Sequence, residues 1–350
     1  MTNASKICLI YTGGTIGMYR DGQGTLRPPE NPKDFVELAP ELDADGFDFI
    51  PVLNKDSTNM IPEDWTTIAK AIYERRADGY KGFVIAHGTD TMHFSASAIA
   101  LALGRNLDFP VVFTGAQTAP DVYHGDARIN LLRAFKVAET NIAEVVICFG
   151  DYVFRGCRAQ KKDERRFEAF ESPAFFPLAH ITENIIPNGS WARTRMEVNG
   201  ELVFLPNFEK GIVQLSLIPG LEPYLLEGLI EKEECKGIVL QSFGAGNVPS
   251  EAAGKKYAWE NFIRHAKDCG KPVLITSQFP ANATSHTVYE PGVAAIDAGA
   301  IPTGNMTSAC ATAKFRWVLA QVGDIEDKQE KLEKIRDMMN TDYVGEFDMA

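Results

Sequence analysis

The stretch "KICLIYTGGTIGM", residues 6–18, joins a short apolar run to a turn in which two glycines sit between two threonines. ICLIY is rich in β-branched and aromatic residues and short enough for a buried strand, and the glycines after it mark a tight turn. Outward from this point the same unit recurs. FDFIPVL (47–53), GFVIA (82–86), PVVFT (110–114) and EVVICF (144–149) are further short apolar runs of strand character. Helical stretches lie between them. After IPEDW, the apolar positions Trp65, Ile68, Ala69, Ile72 and Tyr73 keep helical period, with Pro62 at the first helical position and acids in the first turn. TMHFSASAIALAL (91–103) and DARINLLRAFKVAE (126–139) read the same way. Strand alternating with helix predicts an α/β domain with a mostly parallel sheet.

From residue 185 the pattern changes to IIPNGSWARTRMEVNGELVFLP, where Asn199-Gly200 between two alternating runs predicts a hairpin turn. Alternation restarts with GIVQLSLI (211–218), KGIVLQSF (236–243) and KPVLITSQ (271–278). The expected organisation is therefore two α/β domains with mostly parallel sheets: a larger N-terminal one over 1–190, a linker over 191–211, and a smaller one over 212–350. In the tail, Glu330 and Lys334 stand at helical spacing, as on a solvated surface helix.

Composition narrows the function classes. The 350 residues are 45% hydrophobic and 23% charged, enough for two packed cores. Thirty-five Lys plus Arg against 47 Asp plus Glu leave a net charge of −12, which repels phosphate backbones, so no nucleic-acid partner is expected. The basic stretch RAQKKDERR (158–166) contains acids too and reads as a solvated face, although Lys161 lies in it. Six cysteines are scattered singly, without the paired spacing of zinc sites or disulfide frameworks, and read as buried thiols in a reducing compartment. The N-terminal apolar run is too short for a signal peptide, and no later run approaches a membrane span. A soluble, cytoplasmic protein with no membrane partner is the expectation.

In parallel α/β sheets, ligands collect beyond the strand C-termini. The segments there are TGGT after the first strand, NKDSTNM after the second, HGTDTMH after the third and TGAQTAP after the fourth, all small and rich in hydroxyls. The glycine turn matches neither dinucleotide nor phosphate-loop spacing. His87, Asp90 and His93 stand at three-residue steps that suit a metal, but no further ligand cluster joins them, and a helix cap by Thr89 or Asp90 is the simpler reading. Neither cofactor nor metal is expected. Threonine nucleophilicity remains: a hydroxyl protonated at neutral pH needs a base, the base needs a group to hold it, and glycines let backbone N–H groups converge on a developing oxyanion.

At these residues the chain resembles the bacterial-type asparaginase/glutaminase family. TGGTIGM, HGTDTM, TGAQ, RINLLRA, RGCRAQK, FEAFESPAFFPLA and FGAGNVP occur in the family's order over nearly the whole chain. The wording TGGTIGM and the lack of a secretion signal look more like the cytoplasmic, type I branch. The resemblance implies hydrolysis of L-asparagine to L-aspartate and ammonia without cofactor or metal. It also implies close dimers, as a homodimer or dimer of dimers, with active sites near the intersubunit contact. It maps the nucleophile onto Thr15 and the relay onto Thr89, Asp90 and Lys161, with Lys161 the general base when neutral. A neighbouring carboxylate opposes that neutral form, so burial must offset it. Gly14, Gly88, Ala116, Asp56 and Ser57 map onto the substrate-holding surface, the last two in the loop expected to hold the substrate's ammonium and α-carboxylate. Thr12 is expected to be structural.

Departures from the family pattern mark where this chain differs. The tyrosine of the loop after the nucleophile is replaced by Thr25, so the tyrosine partner of Thr15 is either Tyr19 nearby or Tyr289 from a neighbouring subunit. The acids of the family's DMTxEA segment are replaced by Asn305 and Ala309. Two other readings stay open: a noncatalytic amino-acid sensor on the same fold, and the ammonia-producing subunit of a tRNA-dependent amidotransferase, which normally carries an extra N-terminal domain. Asparagine and glutamine differ by one methylene, worth only about 1–3 kcal/mol in a pocket, so their ratio is not legible here. Some type I relatives bind a second, regulatory asparagine through an arginine and a cysteine whose positions correspond to Gln241 and Gln278. Without the guanidinium no bidentate clamp for a carboxylate remains. The rate is therefore expected to depend hyperbolically on asparagine concentration; a sigmoidal curve abolished by substitutions at that interface would contradict this.

Overall fold

The computed structural model describes residues 6–20, 23–27, 39–42, 46–279 and 290–348. The chain divides into two compact units, Met1–Pro206 and Asn207–Ala350.

In the first unit, strands β1 (Ile7–Tyr11), β2 (Phe47–Pro51), β3 (Gly82–Ala86), β4 (Val111–Thr114) and β5 (Val145–Phe149) form the parallel part of an eight-stranded sheet. β6 (Tyr152–Arg155), β7 (Ala179–Ile181) and β8 (Ile185–Pro187) extend it antiparallel, in the order β8-β7-β6-β5-β4-β3-β1-β2. Strands covered on both faces need no polar alternation, and every residue of β1, β3, β4 and β5 is buried. Because β1 pairs with β2 on one side and β3 on the other, the strand order reverses at β1, creating a switch point between the C-terminal ends of β1 and β3.

Helix α1 (Pro62–Arg75) begins with Pro62, and the Asp64 carboxylate accepts the Ile61 N–H at 2.9 Å. α2 (Met92–Leu103) is apolar nearly all round and is buried accordingly. α3 (Ala127–Ala138) buries Ala127, Leu131, Ala134, Val137 and Ala138 at helical spacing. The Asn199-Gly200 hairpin does not form. Gly200 has the positive φ of a turn, but the flanking runs find partners elsewhere instead of pairing with each other: Phe204 stacks on Tyr73 of α1, the Leu205 N–H donates to Ala102 O at 2.9 Å, and Asn106 Nδ2 donates to Glu201 O at 3.0 Å. Residues 191–206 thus lie against the first unit, with Arg155 donating to Trp191 O and the Arg193 N–H to the buried Glu144.

The second unit holds four parallel strands in sequence order, β9 (Ile212–Ser216), β10 (Gly237–Ser242), β11 (Val273–Ser277) and β12 (Ile301–Pro302). Helices α4 (Trp259–Asp268), α5 (Glu290–Asp297), α6 (Ser308–Gln321) and α7 (Lys328–Met339) accompany them. α4 buries Trp259, Phe262, Ile263 and Ala266 at the spacing of one helix face. α7 buries only Ile335 and Met339, as a surface helix should. None of the six cysteines forms a disulfide among the described residues, and burial pushes the Cys8 and Cys148 thiols up to about 12, which leaves them unreactive.

Three buried ionisable groups have measurable consequences. Lys314 of α6 and Glu346 are both fully buried and pair at 2.7 Å; the lysine also donates to Met339 O and Thr341 O, and the carboxylate accepts the N–H groups of Tyr343 and Val344. Glu346→Gln leaves the ammonium buried without its counter-charge and should cost about 3–5 kcal/mol in urea unfolding; a loss below about 1 kcal/mol would contradict the pairing's role. His87, fully buried just after β3, is pulled by burial from its ordinary 6.5 to about 4. The folded state therefore resists protonation while the unfolded chain accepts it. The neutral ring's contribution is present above pH ~6.5 and is lost as pH falls toward ~4, about 3 kcal/mol in all. Unfolding of wild type and His87→Asn across this pH range should show a shallower dependence in the variant; equal slopes would contradict it.

Candidate active site

Four loops meet at the C-terminal ends of β1 to β4. Thr12 closes β1: its N–H and Oγ1 both donate to Ala86 O at the end of β3, at 3.0 and 2.9 Å, and its own carbonyl accepts the Lys55 N–H at 3.1 Å. Thr12 is thus structural. Lys55 in turn grips both oxygens of Asp64 at 2.8 Å, fixing the β2 loop to the start of α1.

The next residues depend on lacking side chains. Gly14 adopts φ 88°, and a Cβ there would fall 2.6 Å from Gly88 Cα. A Cβ on Gly88 would fall 2.6 Å from Ser57 Oγ, and one on Gly115 would strike His87 O and lie 3.2 Å from Thr89 Cγ2. The glycines therefore bring the loops after β1, β2, β3 and β4 into direct contact, with Thr15 and Thr89 each the residue following one of two glycines that touch. Thr15 opens a single 3₁₀ turn, Thr15–Gly17, and is half-buried. Its hydroxyl makes no hydrogen bond among the described residues.

No side chain of the β3 loop caps its helix. Thr91 occupies the position before α2, and its hydroxyl donates to Ser57 O at 2.7 Å. Neither Thr89 nor Asp90 caps the helix, contrary to the expectation from sequence, because both side chains are taken by Lys161. Lys161 Nζ donates to Thr89 Oγ1 at 2.8 Å and to Asp90 Oδ1 at 2.7 Å. Thr89 is buried; the Lys161 side chain is 11% exposed, whereas that of Asp90 is 55% exposed, so one end of the group faces inward and the other faces solvent.

Lys161 reaches this position from a two-residue antiparallel pairing, Gln160–Lys161 with Phe170–Glu171. The stretch 158–166 is therefore not one solvated face. Arg158 is buried and Lys161 nearly so, and only the hairpin tip is open, with Arg165 88% exposed.

One residue that the sequence does not single out joins the group. Thr89 Oγ1 donates to Gln117 Oε1 at 3.2 Å, while Gln117 Nε2 donates to Asp163 O and Arg166 O at 3.1 and 3.3 Å. The signal lies in TGAQ, the hydroxyl-rich segment after β4, where the family resemblance marks Ala116 alone. His87 Nδ1 donates to Gly88 O at 2.7 Å and its ring meets Phe113 edge-on; His93 packs against Phe94 and Phe170, and burial lowers it to about 4. Both rings are neutral at pH 7.

The remaining positions surround this core unequally. Ser57 is buried beside Gly88, and Ala116 is buried in the β4 loop. Asp56 is exposed and accepts the Thr58 N–H and hydroxyl, both at 2.9 Å. The backbone of Tyr19 pairs with Arg27 in a short antiparallel ladder, Thr25 is exposed near its tip, and Tyr289 lies outside the described residues. In the second unit, Gln278 Nε2 donates to Leu217 O and Gln241 O, and Gln241 bonds Ser216 and Ser308, so both amides are occupied internally. Asn305 donates to Asp348 Oδ2 at 2.7 Å, and Ala309 is buried in α6.

Comparison with known proteins agrees with this geometry. The family "Asparaginase, N-terminal" matches residues 6–192 and "Glutaminase/Asparaginase C-terminal domain" matches residues 212–332. The chain is 32% identical to an L-asparaginase of Thermococcus kodakarensis over 98% of this chain and 99% of the relative. It is equally 32% identical to a glutamyl-tRNA(Gln) amidotransferase subunit of Methanothermobacter thermautotrophicus, over 97% of this chain and 76% of that one. The solved structure of the thermostable L-asparaginase from Thermococcus kodakarensis superposes with a TM-score of 0.88 at 31% identity, covering 99% of this chain and 100% of that one. Two matched domains in order, full-length relatives and a parallel sheet whose glycine loops meet at the strand ends place this chain in the asparaginase family.

Proposed function

We propose that the chain is an L-asparaginase, hydrolysing the side-chain amide of L-asparagine to L-aspartate and ammonia through an ester on Thr15. One observation carries the reading: Lys161 Nζ lies within hydrogen-bond reach of both Thr89 Oγ1 and Asp90 Oδ1, on the loop whose Gly88 packs against Gly14. A nucleophile, a base and a group that holds the base are the parts a protonated hydroxyl requires.

Thr15 Oγ attacks the amide carbon, and its proton passes to the departing nitrogen, which leaves as ammonia. The N–H groups of Thr89 and Ala116 take no carbonyl partner among the described residues and are the donors for the oxyanion. A water held at Thr89 then attacks the β-aspartyl ester and gives its proton to Lys161 in the neutral form, while Asp90 orients the amine; the acyl–Oγ bond breaks, Thr15 Oγ takes a proton back from the lysine, and L-aspartate leaves. Asp56 and Asp90 are acceptors for the substrate ammonium, and Ser57 with the local backbone donates to the α-carboxylate. The chemistry requires no cofactor. A cytoplasmic setting and a homodimer or dimer of dimers accompany the reading; six cysteines with no disulfide among the described residues suit a reducing compartment.

The match to an amidotransferase subunit favours a second reading, in which the same chemistry supplies ammonia to a partner enzyme acting on tRNA. Steady-state ammonia release from asparagine and glutamine, without RNA, separates the two. Turnover of asparagine by the isolated protein is expected, with losses of at least about a thousandfold in Thr15→Ala, Thr89→Val and Lys161→Met. Unaltered turnover in Thr15→Ala would overturn the nucleophile, and release only in the presence of RNA and a partner would favour the second reading.

A further inference from the structure

We infer that Gln117 is a positioning residue that sets the rotation of the Thr89 hydroxyl and ties it to the 163–166 turn. The inference rests on the amidohydrolase reading above and adds a part to it.

The amide of Gln117 has only one workable orientation. Its Nε2 faces two carbonyl oxygens, Asp163 O at 3.1 Å and Arg166 O at 3.3 Å. Turning the amide over would press Oε1 against both, so the network fixes Oε1 toward Thr89. Thr89 Oγ1 then donates its one proton to Oε1 at 3.2 Å and offers its lone pairs to Lys161 Nζ at 2.8 Å. Without Gln117 the hydroxyl has no acceptor among the described residues that opposes the lysine.

The base of the residue is equally constrained. Asp126 is buried and accepts the Gln117 N–H at 2.9 Å, the Thr118 N–H and hydroxyl at 3.0 Å, and Asn130 Nδ2 at 3.1 Å. The turn that Gln117 grips is held in its own right, because Asp163 Oδ1 accepts the N–H groups of Arg165 and Arg166 at 2.8 and 2.9 Å. Gln117 therefore links two rigid turns through the hydroxyl of the relay. A group held this firmly beside a proton-transfer path acts on the chemical step more than on substrate affinity.

Two variants test this. Gln117→Met keeps the volume and removes both halves of the amide; kcat for asparagine should fall about ten- to a hundredfold, with KM within about threefold and an unchanged thermal midpoint. Gln117→Glu is the conservative variant. Ionised, it sets a carboxylate against two carbonyl oxygens; protonated, its C=O accepts from Thr89 and its O–H donates to Asp163 O, repeating the amide. Its kcat relative to wild type should therefore rise at least about threefold from pH ~8 to pH ~5. Wild-type kcat in Gln117→Met, an effect confined to KM, or a pH-independent ratio for Gln117→Glu would overturn the inference. Failure of wild type to release ammonia would instead remove the reading beneath it, so the two failures are distinct.

Discussion

Two stretches of backbone, after β1 and after β3, touch with no side chain between them, and the candidate site depends on that contact. At a switch point the loops leaving adjacent strands diverge, opening a crevice. Here the glycines let the loops close it from below: any Cβ on Gly14 or Gly88 would push the layers apart by more than packing tolerates. Because the peptide chain is continuous, Thr15 and Thr89 each follow directly from this contact. The bond from Thr12 to Ala86 repeats the same tie one step earlier in the chain.

Lys161 arrives by a different route. The sheet turns antiparallel after β5, and Gly156 lets the chain after β6 press against α2, where a Cβ would meet Ala96 at 3.1 Å. From there a short ladder carries the lysine beneath the β3 loop. A long flexible side chain ending between a hydroxyl and a carboxylate makes a poor surface ion pair but suits the relay proposed above. One of its partners is buried and the other is in contact with solvent.

Much of this was legible in the residues themselves. Fully apolar runs such as VVICF allow no placement except inside a parallel sheet, and hydroxyl-rich segments after four successive strands pointed to one end of it. What failed were local patterns overruled by tertiary partners. Asn199-Gly200 has hairpin chemistry, yet Phe204 gains more by stacking on Tyr73 than by cross-strand pairing. Thr89 and Asp90 precede a helix and have capping side chains, yet a lysine 71 and 72 positions away claims both. Long-range partnerships of this kind leave no periodic trace. Lys161 entered through family resemblance alone; Gln117 went unmarked because the resemblance marks only Ala116 in TGAQ, and the Lys314–Glu346 pair because nothing in its neighbours distinguishes a buried polar residue from an exposed one.

At the centre of the proposed reaction stands a covalent step, in which the hydroxyl after the first glycine pair would become bonded to substrate. Peptide-mapping mass spectrometry of Thr89→Val, acid-quenched during incubation with asparagine, tests it directly. One aspartyl residue is predicted in ester linkage on the peptide containing Thr15, absent when Thr15 is also changed to alanine. An adduct on another residue, or turnover that continues without Thr15, would contradict it.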